Sequence, residues 1–151
     1  YAALARTLVD DLGATVMLVG GPSSRERATA AAIARAGVPV VDALGDSVRR
    51  MMGCVDGVDL LVSPDTGPLH LAHALETPVV GLFGHTNPWR VGPWRRYRDL
   101  VIDRYTDPGE APDPSRYDPR HHRMERIAVD DVVTAVAAGL ARYGLRPRDA
   151  A

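Results

Sequence analysis

Apolar residues recur at helical spacing near both ends of the chain. Ala5, Leu8, Val9 and Leu12 fall at positions i, i+3, i+4 and i+7, which predicts a helix from residue 1 to about residue 12. A longer stripe of valine, alanine and leucine predicts a second helix over 129–143, and Gly144 supplies its stop. These amphipathic faces indicate helices that pack on a core.

Short apolar runs between the two ends predict strands at 15–19, 38–41, 59–63, 79–83 and 100–102. Segments with helical pattern lie between these runs, at 25–35, 48–54 and 69–75. Because the strands are apolar on both faces and alternate with helices, the pattern predicts an α/β domain. Its expected architecture is a doubly wound parallel sheet with helices on both faces.

The 151 residues correspond to one ordinary domain. We expect that domain to span 1–143 and to be followed by a polar tail at 144–151. Between them, 103–120 contains four prolines, which is too many for a helix or a central strand. This stretch is therefore expected to be an irregular surface loop.

Charge and cysteine content exclude several kinds of function. The formal net charge is -1, so no global positive field is available to bind a nucleic acid. All 18 basic residues are arginine, which excludes a lysine nucleophile or a lysine phosphate ligand within the chain. The single cysteine, Cys54, cannot form an internal disulfide. No apolar run approaches the length of a membrane span.

The turn after the third predicted strand is the strongest candidate for chemistry. Asp65, Thr66 and Gly67 place a carboxylate, a hydroxyl and a glycine backbone at the start of a helix, with Pro68 in its first turn. Free N–H groups and the helix dipole favour an anion such as phosphate at that position. The alternative is a capped helix with no ligand, and Asp-Thr-Gly-Pro alone does not decide between the two.

Two further glycine turns follow predicted strands, one at 20–22 and one beginning at Gly84. The first lacks the glycine spacing of a dinucleotide fingerprint, so the residues alone favour a plain tight turn. The second includes Thr86 and could add donors to the same crevice, because ligands of such sheets bind at the carboxyl ends of the strands. A turn without a ligand explains it equally well.

Two other groups of residues suggest binding less strongly. His70 and His73 are three apart on one predicted helix but lack a third ligand, so we expect no metal site. The segment 89–98 mixes four arginines with Trp89, Trp94 and a tyrosine. We interpret it as a loop packed on the domain rather than a nucleic-acid surface, and one arginine contact to a phosphate or an anionic acceptor stays open.

Taken together, these motifs resemble one family. The run 65–72 is followed by Ala74 and Leu75, by 78–84, and then by Thr86, Pro88, Gly92 and Pro93. This order closely resembles glycosyltransferase family 9, the ADP-heptose:lipopolysaccharide heptosyltransferases and their relatives. The resemblance implies a GT-B architecture, in which two Rossmann-like domains face a cleft. This chain would be the C-terminal, donor-binding half, and the N-terminal acceptor domain would be absent from it.

The resemblance also implies roles for particular residues. Asp65 would hydrogen-bond the hydroxyls of the donor sugar, Thr66 and Gly67 would meet the diphosphate, and His70 would support that turn or the phosphate. The remaining donor-binding positions lie on the two other turns: Gly21, Pro22 and Ser24 on the first, and Gly84 and Thr86 on the second. No cofactor and no metal are implied, and the catalytic base is expected in the absent half.

The sequence departs from the family pattern at two places. Many relatives carry a glutamate that reaches the nucleoside where this chain has Ser24, and Glu26 is the nearest substitute. Many also have several cysteines in the stretch equivalent to 103–123, and this chain has none there. Nucleoside recognition and the role of that stretch are therefore expected to differ.

The expected function is binding of a nucleotide-sugar donor, ADP-heptose-like, for an inverting and metal-independent transfer to a glycan or lipopolysaccharide-type acceptor. The expected location is the cytoplasm, with at most peripheral association with the inner face of the membrane. Two alternatives stay open. One is a GT-B transferase or epimerase that uses a UDP-sugar, and the other is a non-catalytic nucleotide-sugar-binding module.

Overall fold

The computed structural model describes residues 1–45, 47–93 and 95–144. Its helices are α1 (Ala2–Asp10), α2 (Ser24–Arg35), α3 (Val48–Asp56), α4 (Gly67–Ala74), α5 (Pro88–Val91) and α6 (Val129–Tyr143). Its strands are β1 (Val16–Leu18), β2 (Val40–Asp42), β3 (Leu61–Pro64), β4 (Val79–Phe83) and β5 (Val101–Asp103). Short 3₁₀ turns occupy Arg98–Leu100 and Met124–Arg126. The chain divides into two compact units, Tyr1–Gly57 and Val58–Ala151.

The first unit is a two-stranded parallel sheet with its helices. β1 pairs with β2 in a register that places Met17 opposite Val41. A small core of Ala5, Ile33 and Val38 joins α1, α2 and the short segment before β2. Both later helices begin at serine caps, because the Ser23 hydroxyl accepts from the Glu26 N–H and Ser47 does the same for α3.

The second unit is built around β4, whose five residues are all buried. β3 and β5 pair with it in parallel on either side, so the order is β3-β4-β5. Two glycines permit close helix packing. A Cβ at Gly81 would lie 3.3 Å from Leu69 of α4, and a Cβ at Gly139 of α6 would lie 2.7 Å from Leu60. The sheet thus packs against α4, which lies between β3 and β4 in the chain, and against α6, which follows β5.

The α/β class and the parallel strands flanked by helices are confirmed. The described strands form a two-stranded and a three-stranded parallel sheet. Local apolar patterns predict strands but not which strands pair, since pairing is set by tertiary contacts. The stretch after β5 contains no described helix or strand until Met124. The predicted tail lies outside the described residues beyond Gly144.

Candidate functional site

The turns that follow β3 and β4 lie at the same edge of the three-stranded sheet. The two strands are parallel, and Pro64 at the end of β3 is opposite Leu82 of β4. Asp65, Thr66 and Gly67 therefore share an edge with the turn that begins at Gly84. This is the carboxyl edge, where ligands of open parallel sheets bind.

The N-terminus of helix α4, at Gly67, leaves open space beside its backbone. Thr66 is its N-cap in extended conformation, and Pro68 carries no N–H. The N–H groups of Leu69 and His70 point back to the Thr66 carbonyl, at 3.0 and 3.5 Å. Gly67 is exposed, and a Cβ built on it would meet nothing within 4 Å. The Gly67 backbone thus offers open space at the positive end of a helix dipole.

Asp65 is paired with His70 across the first turn of α4. The His70 Nε2 lies 3.0 Å from Asp65 Oδ1. The Asp65 side chain is only 16% exposed, whereas that of His70 is 56% exposed. The pair fixes the orientation of the carboxylate and leaves it a second oxygen, Oδ2. A carboxylate held in this way can accept hydrogen bonds from hydroxyl groups such as those of a sugar.

The Thr66 hydroxyl is tied to the preceding strand. Its Oγ1 lies 3.2 Å from the Ser63 hydroxyl and donates to the Pro64 carbonyl at 3.3 Å. Ser63 is buried and donates to the same carbonyl at 2.9 Å. These contacts rigidify the turn between β3 and α4. Thr66 itself stays exposed beside Gly67.

The turn after β4 is packed against a later part of the chain. A Cβ at Gly84 would lie 2.5–2.7 Å from backbone atoms of Arg123 and Met124, so glycine is required for this approach. Thr86 is half-buried. Asn87 is buried, caps α5 by accepting from the Trp89 N–H at 3.0 Å, and donates to two distant carbonyls. The buried Asn87 was not singled out by the sequence.

In the first unit, the turn at 20–26 is closed by Glu26. The Gly21 N–H donates to Glu26 Oε1 at 2.9 Å, and the Ser23 hydroxyl donates to Oε2. These hydrogen bonds, with that from Ser23 the largest contribution, lower the pKa of Glu26. Pro22 and Ser24 are exposed on the same turn. The Gly21 N–H is therefore already satisfied, and Glu26 is occupied within its own turn.

The structure thus places the predicted residues in two groups. Asp65, Thr66, Gly67 and His70 form one contiguous cluster at the edge of the three-stranded sheet, and Gly84 and Thr86 follow the neighbouring strand at that edge. Gly21 and Pro22 lie on the turn between β1 and α2 of the first unit, and Ser24 is the first residue of α2.

A network of ion pairs in 105–126 was not predicted. Arg120 pairs with Glu110 at 2.7 Å, and Arg123 pairs with Asp107 at 2.8 Å. Hydrogen bonds from these arginines hold the pKa of Glu110 and that of Asp107 well below their ordinary values. The regular mixing of acidic residues with arginine in this stretch is the sequence signal that could have indicated it.

The arginines and aromatic residues of 89–98 contact one another and the domain. The Arg98 guanidinium lies 3.8 Å from the centroid of the Trp89 ring, and Arg90 stacks at 3.4 Å on the exposed ring of Tyr117. These are cation–π contacts within the protein, as a packed loop would make. Trp94 lies outside the described residues.

The described residues contain neither a membrane-spanning helix nor a cluster of metal ligands. None of the described helices combines the length and the apolar character that crossing a bilayer requires. In the same ranges, no group of three or more histidine, cysteine or acidic side chains is placed to hold a metal ion.

The model of glycosyltransferase family 9 (heptosyltransferase) matches residues 1–114. The chain belongs to glycosyltransferase family 9. This family 9 chain is 30% identical to lipopolysaccharide heptosyltransferase 3 of Escherichia coli over 129 residues, which are 82% of the chain and 37% of that protein. It is also 36% identical to the lipopolysaccharide core heptosyltransferase OpsX of Haemophilus influenzae over 55 residues, 36% of the chain and 16% of that protein.

The family 9 chain therefore spans well under half the length of these two relatives. No solved structure matches it. The match of the family model covers the turns at 20–26, 65–67 and 84–87, so every predicted donor-binding residue falls within it.

Proposed function

We propose that this chain is the donor-binding part of an inverting glycosyltransferase that uses an ADP-linked, heptose-like sugar. Membership of family 9 and the names of the two relatives support a heptosyl transfer to a lipopolysaccharide-type or related glycan acceptor. The observation that carries the proposal is the cluster at the start of α4. There, a held carboxylate lies beside an open glycine backbone at a helix N-terminus.

The cluster suits both the sugar and the diphosphate of a nucleotide-sugar donor. The Asp65 carboxylate would accept hydrogen bonds from the sugar hydroxyls, and His70 would keep it in place. The Gly67 backbone and the dipole of α4 would stabilise the diphosphate, whose negative charge grows as it departs. In this mechanism protein donors, rather than a metal ion, stabilise the leaving group.

The acceptor site and the catalytic base would belong to a second domain. An acceptor-binding domain preceding this chain would supply the carboxylate base that activates the acceptor hydroxyl for attack at the anomeric carbon. The chain alone would then bind the donor without turning it over. Because sugar nucleotides are its substrates, we place the protein in the cytoplasm, with at most peripheral contact with the membrane.

The test is Asp65→Asn in the complete enzyme. Loss of hydrogen bonds to a charged acceptor costs about 1.5–3 kcal/mol, so we expect transfer to fall at least about ten-fold. The matched control is Asp118→Asn, because Asp118 is exposed and Tyr105 uses its backbone carbonyl. Near-normal kinetics for Asp65→Asn, in a variant with unchanged melting temperature, would refute the role of Asp65.

A further inference from the structure

Arg120 connects the ion-pair network to the turn that begins at Gly84. The Arg120 N–H donates to the His85 carbonyl at 2.9 Å, and His85 Nδ1 lies 3.3 Å from the Arg120 carbonyl. The Arg120 guanidinium binds both Glu110 carboxylate oxygens, at 2.7 and 2.8 Å. Its side chain is only 18% exposed and lies 4.6 Å from the centroid of the Tyr105 ring.

The turn 84–87 has two more contacts with the same segment. Asn87 Nδ2 donates to the carbonyls of Asp113 and Arg116 at 2.8 and 3.1 Å. Gly84 lies against the backbone of Arg123. Residues 113–123 therefore contact the turn at Gly84, His85 and Asn87, although the turn directly follows β4 in the chain. A loop without regular structure would not hold a neighbouring turn unless its own conformation were fixed.

We propose that Arg120 is a positioning residue, whose two-pronged pair with Glu110 holds the turn 84–87 in the conformation that receives the nucleotide-sugar donor. The claim that the turn receives the donor rests on the proposed function, whereas the claim that Arg120 fixes the turn does not. A bidentate arginine–carboxylate pair supplies directional geometry that a single point charge lacks. The two contacts between Arg120 and His85 transmit that fixed geometry to the turn.

The test is amide hydrogen exchange in the 151-residue chain, compared between wild type and Arg120→Gln. We expect exchange at residues 84–87 to accelerate about ten-fold or more, because the turn then opens locally, while amides of α1 and α2 keep their rates. The matched control is Arg104→Gln. The Arg104 side chain makes a salt bridge of similar length, 2.6 Å to Asp131, and donates to the Asp103 carbonyl, and neither of these partners belongs to the turn.

Nucleotide affinity provides the second readout. We expect the dissociation constant for ADP to rise several-fold in Arg120→Gln at a temperature well below its melting transition, and to stay unchanged in Arg104→Gln. A merely structural role would lower the melting temperature and leave the affinity of the folded chain unaltered. Arg120→Lys, which keeps the charge without the fork, is expected to give an intermediate value.

Glu110→Gln supplies a second comparison if Arg120→Gln does not fold, because it weakens the pair from the opposite side with an isosteric group, together with the pair of Glu110 and Arg116. Unchanged exchange at 84–87 in a folded variant would overturn the positioning role. If the turn loosens but the ADP affinity of the variant equals that of wild type, its link to the donor is wrong. If wild-type protein binds no ADP, the proposed function fails, and the exchange rates still decide whether Arg120 holds the turn.

Discussion

Gly67 and Gly84 lie at the same sheet edge but have opposite surroundings, so the same substitution should have opposite consequences. A methyl group at Gly67 would meet no atom within 4 Å, whereas one at Gly84 would lie 2.5 Å from the Met124 nitrogen and 2.6 Å from the Arg123 carbonyl carbon. Neither glycine is among those with a positive φ, so an alanine adds no backbone strain at either position.

Overpacking against backbone atoms costs about 1–3 kcal/mol, because such atoms cannot rotate away as a side chain can. For a chain of this size, that cost lowers the melting temperature of Gly84→Ala by roughly 2–12 °C. Gly67→Ala should be neutral, or should stabilise the fold by about 0.4–1 kcal/mol by restricting the unfolded chain. The two variants therefore separate stability from binding.

The two variants should rank in the reverse order for diphosphate binding, which Gly67→Ala should weaken more than Gly84→Ala does. At Gly67 the added methyl occupies the space through which a phosphate would approach the helix N-terminus. Losing a hydrogen bond to a charged group costs about 1.5–3 kcal/mol, so ADP affinity should fall roughly ten- to hundred-fold.

The assay is thermal unfolding together with calorimetric titration of ADP, for both variants and wild type. Gly67→Ala with wild-type ADP affinity would refute the placement of the diphosphate at the start of α4. Gly84→Ala with an unchanged melting temperature would refute the close packing of the turn after β4.

Two further predictions concern charged residues that close turns. Because the folded-state pKa of Glu110 is lowered, its stabilisation is present above the unfolded value near 4.5 and is lost as pH falls further. Thermal unfolding between pH 7 and pH 3 should therefore show a steeper acid loss for wild type than for Glu110→Gln, and parallel curves would contradict this. Glu26→Ala should destabilise the chain by about 0.3–1.5 kcal/mol in a urea melt, because it removes the carboxylate that accepts from the Gly21 N–H and the Ser23 hydroxyl at the start of α2. A midpoint equal to that of wild type would show that this cap contributes nothing.

The elements with strong local patterns were predicted closely. The helix expected at 129–143 and the strand expected at 79–83 have the bounds of α6 and β4. Both combine an unbroken apolar pattern with clear flanking signals, such as Gly144 after α6. The position of the turn at 65–67 could also be predicted from the sequence, because a strand ends just before it and a helix begins at its last residue.

The contacts within the site were less accessible. The pairing of Asp65 with His70 depends on how the first turn of α4 winds, and the link from Arg120 to His85 joins residues 35 apart. Such contacts follow from the path of the whole chain rather than from a local period. The Ser23–Glu26 capping box is different, because Ser-x-x-Glu before a helix is a readable signal, and it explains why Glu26 is occupied.

The most direct measurement is an NMR titration of the 151-residue chain with ADP and, separately, with UDP. This method reports contacts even at millimolar affinity, about -4 kcal/mol. We predict that ADP shifts the amide signals of Asp65, Thr66 and Gly67 at lower concentrations than UDP does. A preference for UDP would point to the UDP-sugar transferase or epimerase, and ADP shifts that avoid residues 65–67 would contradict the proposed donor site.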